Sequence, residues 1–140
     1  MKLLLDTGVV GQLCHPRKYQ DVRQWFASVV SEHDFLVSEV ADYELRRELI
    51  RIRASRSLAR LDELSRELRY VPVTTATWRS AANLWAWLRR TGKGTAAEHG
   101  LDGDVLIAAQ AIAEGAAVVT TNPRHFQPLV RAMEWHELVP

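Results

Sequence analysis

The sequence predicts an α/β protein in which a small parallel sheet of four to five strands is wrapped by helices. Short apolar runs alternate with amphipathic helical patterns along the whole chain, and strands separated by helices pair in parallel through right-handed crossovers. The chain has 140 residues, of which 47% are hydrophobic and 25% are charged, as in an ordinary globular protein. It contains no repeat or linker, so we expect a single domain over residues 1–140.

The first half of the chain contains two predicted strands, each followed by polar residues. Lys2–Leu5 is short and apolar and ends in an Asp-Thr-Gly sequence, which is typical of a buried strand followed by a polar turn. Phe35–Val37 is the second strand, and the next residue is a serine suited to cap a helix over 38–53. Apolar spacing predicts two further helices, at Asp21–Val30 and Ser57–Leu68.

The second half of the chain continues the alternation of strands and helices. The predicted elements are a strand at Tyr70–Val73, a helix at Thr77–Arg90, a glycine-rich loop at Thr91–Gly100, an alanine-rich helix at Asp104–Glu114, a strand at Ala116–Thr120 and an edge strand within Met133–Val139. In the first of these helices Trp78 and Trp85 fall on the stripe predicted to face the core. Trp87 falls off that stripe, which suggests a surface for a second copy or another partner.

Composition excludes several classes of protein and indicates a compartment. Cys14 is the only cysteine, which excludes intrachain disulfides and cysteine-rich zinc sites and favours the reducing cytoplasm. No apolar stretch approaches the length of a membrane span, so we expect no membrane association. The net charge is only +1, but fifteen of the eighteen basic residues are arginine, which suits phosphate recognition. A GC-rich genome is an equally good explanation of that bias.

Acidic and amide side chains fall where parallel sheets place their functional sites, beyond the carboxyl ends of the strands. Asp6 directly follows the first strand, and Glu44 lies about one and a half turns into the helix after the second. Asp102 and Asp104 lie at the start of the alanine-rich helix, and Asn122 follows the last long strand. Each of these residues alone has an ordinary role in capping or surface ion pairing. Their grouping is what predicts a site.

Clustered carboxylates repel one another unless a cation lies between them. Hard oxygen ligands with few histidines or cysteines select Mg²⁺ or Mn²⁺ over zinc. A divalent ion of this kind activates water and clamps a phosphate group, so the predicted chemistry is hydrolysis of a phosphodiester.

Four segments of the sequence resemble the PIN-domain family, and within it the VapC-type toxin ribonucleases. They occur in the family's order and spacing across nearly the whole chain: Leu3–Thr7, Val40–Leu45, Asp104–Ala111 and Val118–Phe126. The resemblance implies a small parallel sheet wrapped by helices and Mg²⁺- or Mn²⁺-dependent cleavage of RNA. It also implies a homodimer that is neutralised by a small antitoxin protein.

The resemblance assigns metal binding to Asp6, Glu44 and Asp104. Asn122 matches a fourth position, where the family has Asp or Asn and where it would hold a metal-bound water or a second ion. Two features depart from the family pattern. The first motif reads Asp-Thr-Gly where Asp-Thr-Asn is usual, and Asp102 is an extra acid that competes with Asp104 for the role of main ligand.

Basic residues near these positions are candidate contacts to RNA phosphates. Arg47 and Arg51 share a helical face with Glu44, although a solvated face paired with neighbouring acids explains them as well. The remaining candidates are Lys93 in the glycine-rich loop, and Arg124 and His125 after the last long strand.

Two other functions fit parts of the sequence. A catalytically silent PIN-like module would keep the fold and bind RNA or protein without productive metal binding. Asp-Thr-Gly after an apolar strand is also the active-site tripeptide of aspartic proteases, which in a short chain would act as a homodimer. Those enzymes are nearly all β, whereas this sequence is mostly helical in pattern.

Overall fold

The structure, a computed structural model, describes residues 1–92 and 98–140, and the side chains of all of these except 98–101. Within these residues, five strands form one sheet: β1 Lys2–Leu5, β2 Asp34–Ser38, β3 Arg69–Val71, β4 Ala117–Val119 and β5 Ala132–Met133. All strand pairs are parallel and their order across the sheet is β3-β2-β1-β4-β5. The predicted α/β class and parallel sheet are therefore confirmed.

Six helices in the described part of the chain surround this sheet. They are α1 Thr7–Cys14, α2 Gln20–Val29, α3 Glu39–Arg51, α4 Ser55–Glu67, α5 Thr75–Thr91 and α6 Glu98–Glu114. Short 3-10 turns follow at Pro123–His125 and Trp135–Glu137. None of the described helices combines the length and the apolar character needed to cross a bilayer. This architecture also excludes the mostly β aspartic protease.

The sheet separates two hydrophobic cores because successive side chains of a strand point to opposite faces. In β1, Leu3 and Leu5 pack with α1, α2 and α4 on one face, and Leu4 packs with α5 and α6 on the other. All three leucines are completely buried, which contributes about 1.5–3 kcal/mol each relative to exposure. The central strand is therefore held rigidly from both sides.

The order of the strands reverses next to β1. The chain proceeds from β1 outward through β2 to β3, and then returns to place β4 on the other side of β1. In open parallel sheets, ligands bind beyond the carboxyl ends of the strands at such a reversal. Asp6 follows β1 and Thr120 follows β4, so both lie at this point.

Three predicted elements differ from the structure. The polar turn predicted after the first strand is instead the start of α1, because the Asp6 side chain caps the helix and accepts a hydrogen bond from the Thr7 amide. The alanine-rich helix begins at Glu98, so Asp104 lies in its second turn and does not open it. The predicted final strand is confined to Ala132–Met133.

The prediction for the tryptophans of α5 is reversed in the structure. Trp78 and Trp85 are 58% and 39% exposed, whereas Trp87 is partly buried and packs against the core that contains Leu88. The buried residues of α5 are Thr77, Ala81 and Leu88, and Leu84 packs against the same core. Ala81 and Leu88 fit either stripe, but the helix is rotated so that Thr77 and Leu84 face the core in place of Trp78 and Trp85.

Candidate active site at the reversal of strand order

Asp6 is fixed at the end of β1 by hydrogen bonds to both of its carboxylate oxygens. The Thr7 amide donates to Oδ1 at 2.8 Å, and the Thr120 hydroxyl, beyond β4, donates to Oδ2 at 2.7 Å. Burial raises the pKa of Asp6 above its ordinary value, and the nearby charge of Glu44 adds to this effect, whereas the two hydrogen bonds oppose it. The carboxylate is thus held rigidly where ionisation is disfavoured.

Glu44 is brought to Asp6 by α3, which follows β2. The Thr7 hydroxyl donates to Glu44 Oε1 at 2.8 Å, so Thr7 contacts both acids, one through its amide and one through its side chain. On its other side Glu44 packs against Gly103 of α6, where an added Cβ would lie 2.7 Å from Oε2. A side chain at position 103 would therefore displace the Glu44 carboxylate from its present position.

Asp104 enters the site from α6. Its pKa is raised from 3.8 to about 7, first by burial and then by the charges of Asp6 and Glu44. The three carboxylates therefore lie close enough for their charges to act on one another. Asp6 directly follows β1, whereas Glu44 and Asp104 lie in the second turns of α3 and α6.

Asn122 and His125 approach Asp104 from the segment after β4. The Asn122 side-chain nitrogen lies 3.0 Å from His125 Nε2, and His125 Nδ1 lies 3.4 Å from Asp104 Oδ2. When the ring is protonated at Nδ1 only, Asn122 donates to Nε2 and the Nδ1 proton faces the carboxylate. This arrangement connects Asn122 to Asp104 through the His125 ring.

The donor set suits a hard divalent cation. It consists of carboxylate and amide oxygens, the ligands that Mg²⁺ and Mn²⁺ prefer, and a cation would relieve the repulsion that raises the pKa of Asp104. Among the described residues, no three His, Cys, Asp or Glu side chains are arranged to enclose an ion as they stand. The chemistry of the ligands therefore fits a metal ion, whereas the present side-chain conformations do not close around one.

Asp102 is not among the charges that raise the pKa of Asp104, unlike Asp6 and Glu44. It is exposed, and it lines a groove of about 680 Å³ together with Glu44, Tyr43 and Trp78. An adjoining groove of about 500 Å³, lined by Trp78 and Trp85, continues along α5 and α6. The site thus opens onto a long surface with exposed aromatic side chains.

The predicted basic residues occupy different environments. Arg47 lines the larger groove and lies 5.0 Å from the centre of the Tyr43 ring, whereas Arg51 is exposed and paired with Glu48. Arg124 is exposed on the 3-10 turn between Asn122 and His125. Lys93 lies outside the described residues. Of the glycine-rich loop predicted at Thr91–Gly100, Thr91 belongs to α5 and residues 98–100 belong to α6, because both helices extend further than their apolar spacing predicts.

Three residues that shape the site were not predicted from the sequence, namely Thr7, Thr120 and Gly103. Thr120 could have been found, because it follows β4 as Asp6 follows β1, and parallel neighbours end at the same edge. Thr7 lies within a motif but had no assigned role. The role of Gly103 could not be predicted from the sequence, because it depends on how closely Glu44 of α3 packs against α6.

The family model of the PIN domain matches residues 3–129, so the chain belongs to the PIN domain family. VapBC2 from Rickettsia felis bound to a DNA fragment from its promoter has a similar chain, with a TM-score of 0.79, 20% identity and coverage of 96% of this chain and 99% of that one. DNA-bound VapBC from Salmonella typhimurium is similar with a TM-score of 0.77, 25% identity and coverage of 96% and 98%.

Mycobacterium tuberculosis VapC20, described as a toxin that cleaves the sarcin-ricin loop, matches with a TM-score of 0.70, 17% identity and coverage of 99% of both chains. Among curated proteins, none matches this sequence. The resemblance to VapC-type PIN domains is therefore confirmed, through the family and the fold.

Proposed function

We propose that this chain is an endoribonuclease that depends on Mg²⁺ or Mn²⁺ and hydrolyses RNA phosphodiester bonds. Asp6, Glu44 and Asp104 hold the ion, and Asn122 completes the site. The observation that supports this proposal most strongly is the convergence of three carboxylates, carried by three separate elements, where the strand order reverses. The PIN family and the similarity to VapC20 support the same activity.

Some residues of the proposed site bind the ion, and others hold the ion's ligands in position. Thr7 and Thr120 hold the Asp6 and Glu44 carboxylates in place, so these ligands lose little conformational freedom when an ion binds. When bound, a divalent cation supplies Lewis acidity and charge neutralisation at the phosphate under attack. Arg47, on the wall of the groove next to Glu44, is suited to hold a neighbouring phosphate. Arg51, Lys93, Arg124 and His125 remain proposed RNA contacts.

Cleavage of a pool of structured RNAs tests the activity. We expect cleavage with Mg²⁺ or Mn²⁺, none with EDTA, and loss of at least about a hundredfold in Asp104→Asn. The matched variant Asp102→Asn changes an exposed acid two residues away and should retain most of the activity. If Asp102→Asn is the inactive variant, the wrong acid has been assigned. Cleavage that survives EDTA and Asp104→Asn would contradict the mechanism.

We further propose that the protein is the toxin of a toxin–antitoxin pair in the cytoplasm. The similar structures include VapBC complexes, which supports a small antitoxin as partner. Expression of the wild-type chain should arrest bacterial growth, and Asp104→Asn should not. Co-expression of the small protein encoded beside it should relieve the arrest and allow both to be purified together. Arrest by Asp104→Asn as well would contradict a nuclease toxin.

A homodimer is also part of the proposal, and the outward face of α5 supports it. Trp78 and Trp85 are exposed there, next to Tyr43, which is 61% exposed. Exposed aromatic groups that line continuous grooves are typical of interfaces between proteins. Light scattering should give a dimer for the wild type and a monomer for Trp78→Ser/Trp85→Ser. A wild-type monomer at micromolar concentration would contradict this.

A second candidate is a catalytically silent PIN-like module. It is favoured by one observation, that no three described side chains enclose an ion as they stand. Such a module would bind RNA without binding Mn²⁺. Calorimetric titration of the metal-free protein with Mn²⁺ separates the candidates, because the nuclease requires binding that Asp104→Asn weakens.

A further inference from the structure

Gly8, the second residue of α1, lies against the exposed Thr121, two residues after the end of β4. A Cβ added at position 8 would lie 2.7 Å from Thr121 Oγ1, closer than real Cβ atoms approach, and 3.2 Å from Cγ2, which is an unusually tight contact. The backbone of Gly8 is not in the left-handed region, since that conformation is confined to Gly92 and Gly115 among the described glycines. Space, and not backbone conformation, therefore requires glycine at position 8.

A second glycine in the same helix provides a comparison. A Cβ added at Gly11 would lie 3.5 Å from Leu45 Cδ1, which is an ordinary van der Waals contact. Glycine inside a helix is less favourable than alanine by about 1 kcal/mol. Alanine fits at position 11 but cannot fit at position 8 unless Thr121 moves.

Thr121 lies between two residues that reach the candidate site. On one side, the Thr120 hydroxyl donates to Asp6 and accepts a hydrogen bond from the Asn122 amide at 3.1 Å. On the other side, Asn122 contacts His125, whose ring faces Asp104. A shift of Thr121 would therefore be transmitted toward both Asp6 and Asp104.

We propose that Thr121, seated on the bare Cα of Gly8, is a positioning residue that sets how closely segment 120–125 approaches the carboxylates. The contact also accounts for the Asp-Thr-Gly sequence, because an asparagine at position 8 has no room while Thr121 is present. The catalytic consequence of this inference rests on the proposed nuclease function. The close contact between positions 8 and 121 is independent of the proposed nuclease function.

A double-mutant cycle with a matched control tests the pairing. The variants are Gly8→Ala, Thr121→Ala, the double variant, and Gly11→Ala as the same change elsewhere in α1. Each is measured for kcat and KM in metal-dependent RNA cleavage, for Mn²⁺ affinity by calorimetry, and for Tm.

Gly8→Ala should lower kcat about tenfold or more with little change in KM, because the segment shifts by a fraction of an ångström. Thr121→Ala, which removes both close atoms, should lower kcat only about threefold. The double variant should recover to the level of Thr121→Ala. Gly11→Ala should keep the wild-type kcat and raise Tm.

Independent, multiplying losses in the double variant would overturn the inference, as would full activity in Gly8→Ala. If Gly8→Ala does not fold, Thr121→Ala decides, because an unchanged kcat in that variant excludes a positioning role. If the wild type cleaves no RNA, the proposed function fails separately. The pairing then stands if Gly8→Ala weakens Mn²⁺ binding and the double variant restores it, and is overturned if Mn²⁺ affinity is the same in all variants.

Discussion

Asp42 and Glu44 lie two residues apart on α3, and the protein holds their carboxylates in opposite ways. Asp42 accepts hydrogen bonds from Arg46 at 2.9 Å and from the Tyr70 hydroxyl at 2.7 Å, and Arg46 also bridges to Asp62 at 2.8 Å. In the described part of the chain no arginine or lysine forms an ion pair with Glu44, and its donor is the neutral Thr7 hydroxyl.

The difference separates an acid that supports the fold from an acid that is available for chemistry. The Asp42 carboxylate is neutralised by Arg46, and its contacts join α3 to α4 and β3. Glu44 lies near Asp6 and Asp104 instead, and its negative charge helps to raise the pKa of Asp104. Proteins rarely leave such charges uncompensated unless they serve a function.

The largest expected effect is on catalysis. Glu44→Gln keeps the shape of the side chain and an acceptor for Thr7 but removes the charge, so kcat for RNA cleavage should fall about a hundredfold or more. Asp42→Asn should change kcat by less than about threefold. Single-turnover cleavage assays measure both. Equal losses in the two variants would remove the distinction.

For the free energy of unfolding we expect the reverse order, with a larger effect in Asp42→Asn than in Glu44→Gln. Asp42→Asn leaves Arg46 and Tyr70 without their charged acceptor and should cost about 1–3 kcal/mol of unfolding free energy. Glu44→Gln removes a repulsive charge and should leave the metal-free protein equally or more stable. Urea denaturation in EDTA measures both values. A larger loss in Glu44→Gln than in Asp42→Asn would contradict the assignment of roles.

The raised pKa of Asp104 should also make the stability of the protein depend on pH. Asp104 has a pKa of about 7 when folded, against 3.8 for the ordinary group, so the folded protein keeps a proton that the unfolded chain releases. The metal-free protein should therefore lose stability at this residue as pH rises from about 4 to about 7, by up to about 1.4 kcal/mol per pH unit. In Asp104→Asn this contribution should vanish. An unchanged slope in the variant would show that another group is responsible.

The smallest effect is expected at the exposed pair on the same helix. Glu48 and Arg51 form an ion pair whose side chains are 52% and 70% exposed. Pairs of this kind contribute little because water and salt screen them. Glu48→Gln should leave the urea midpoint and kcat unchanged within error. A measurable loss in either would mean that this face of α3 has a partner.

The sequence alone could predict the sheet, most of the helices and the positions of the acids. Apolar strand residues such as Leu3–Leu5 are buried whichever helices cover them, and parallel pairing brings the residues after β1 and β4 to one edge. For that reason Asp6 and Asn122 could be located from their order in the chain. Glu44 and Asp104 could be located in the same way, from the helices that follow the strands, and the PIN-domain resemblance assigned them with Asp6 to metal binding.

What the sequence could not predict depends on the rotation and approach of helices. Arginines follow both Asp42 and Glu44 within one turn, and only the packing of α3 on α4 shows that Arg46 reaches Asp42 and Asp62. The rotation of α5 about its axis, which the apolar spacing did not fix, places Trp78 on the surface and Trp87 against the core. The glycine contact to Thr121 likewise joins residues that are far apart in the chain.

Binding of Mn²⁺ tests the central claim most directly, because it compares the two acids of α3 without requiring the correct RNA. Calorimetric titration of metal-free wild type, Glu44→Gln and Asp42→Asn should give similar affinities for wild type and Asp42→Asn. Glu44→Gln should bind at least about tenfold more weakly. No binding by the wild type, or the same affinity in Glu44→Gln, would contradict a metal site built on Asp6, Glu44 and Asp104.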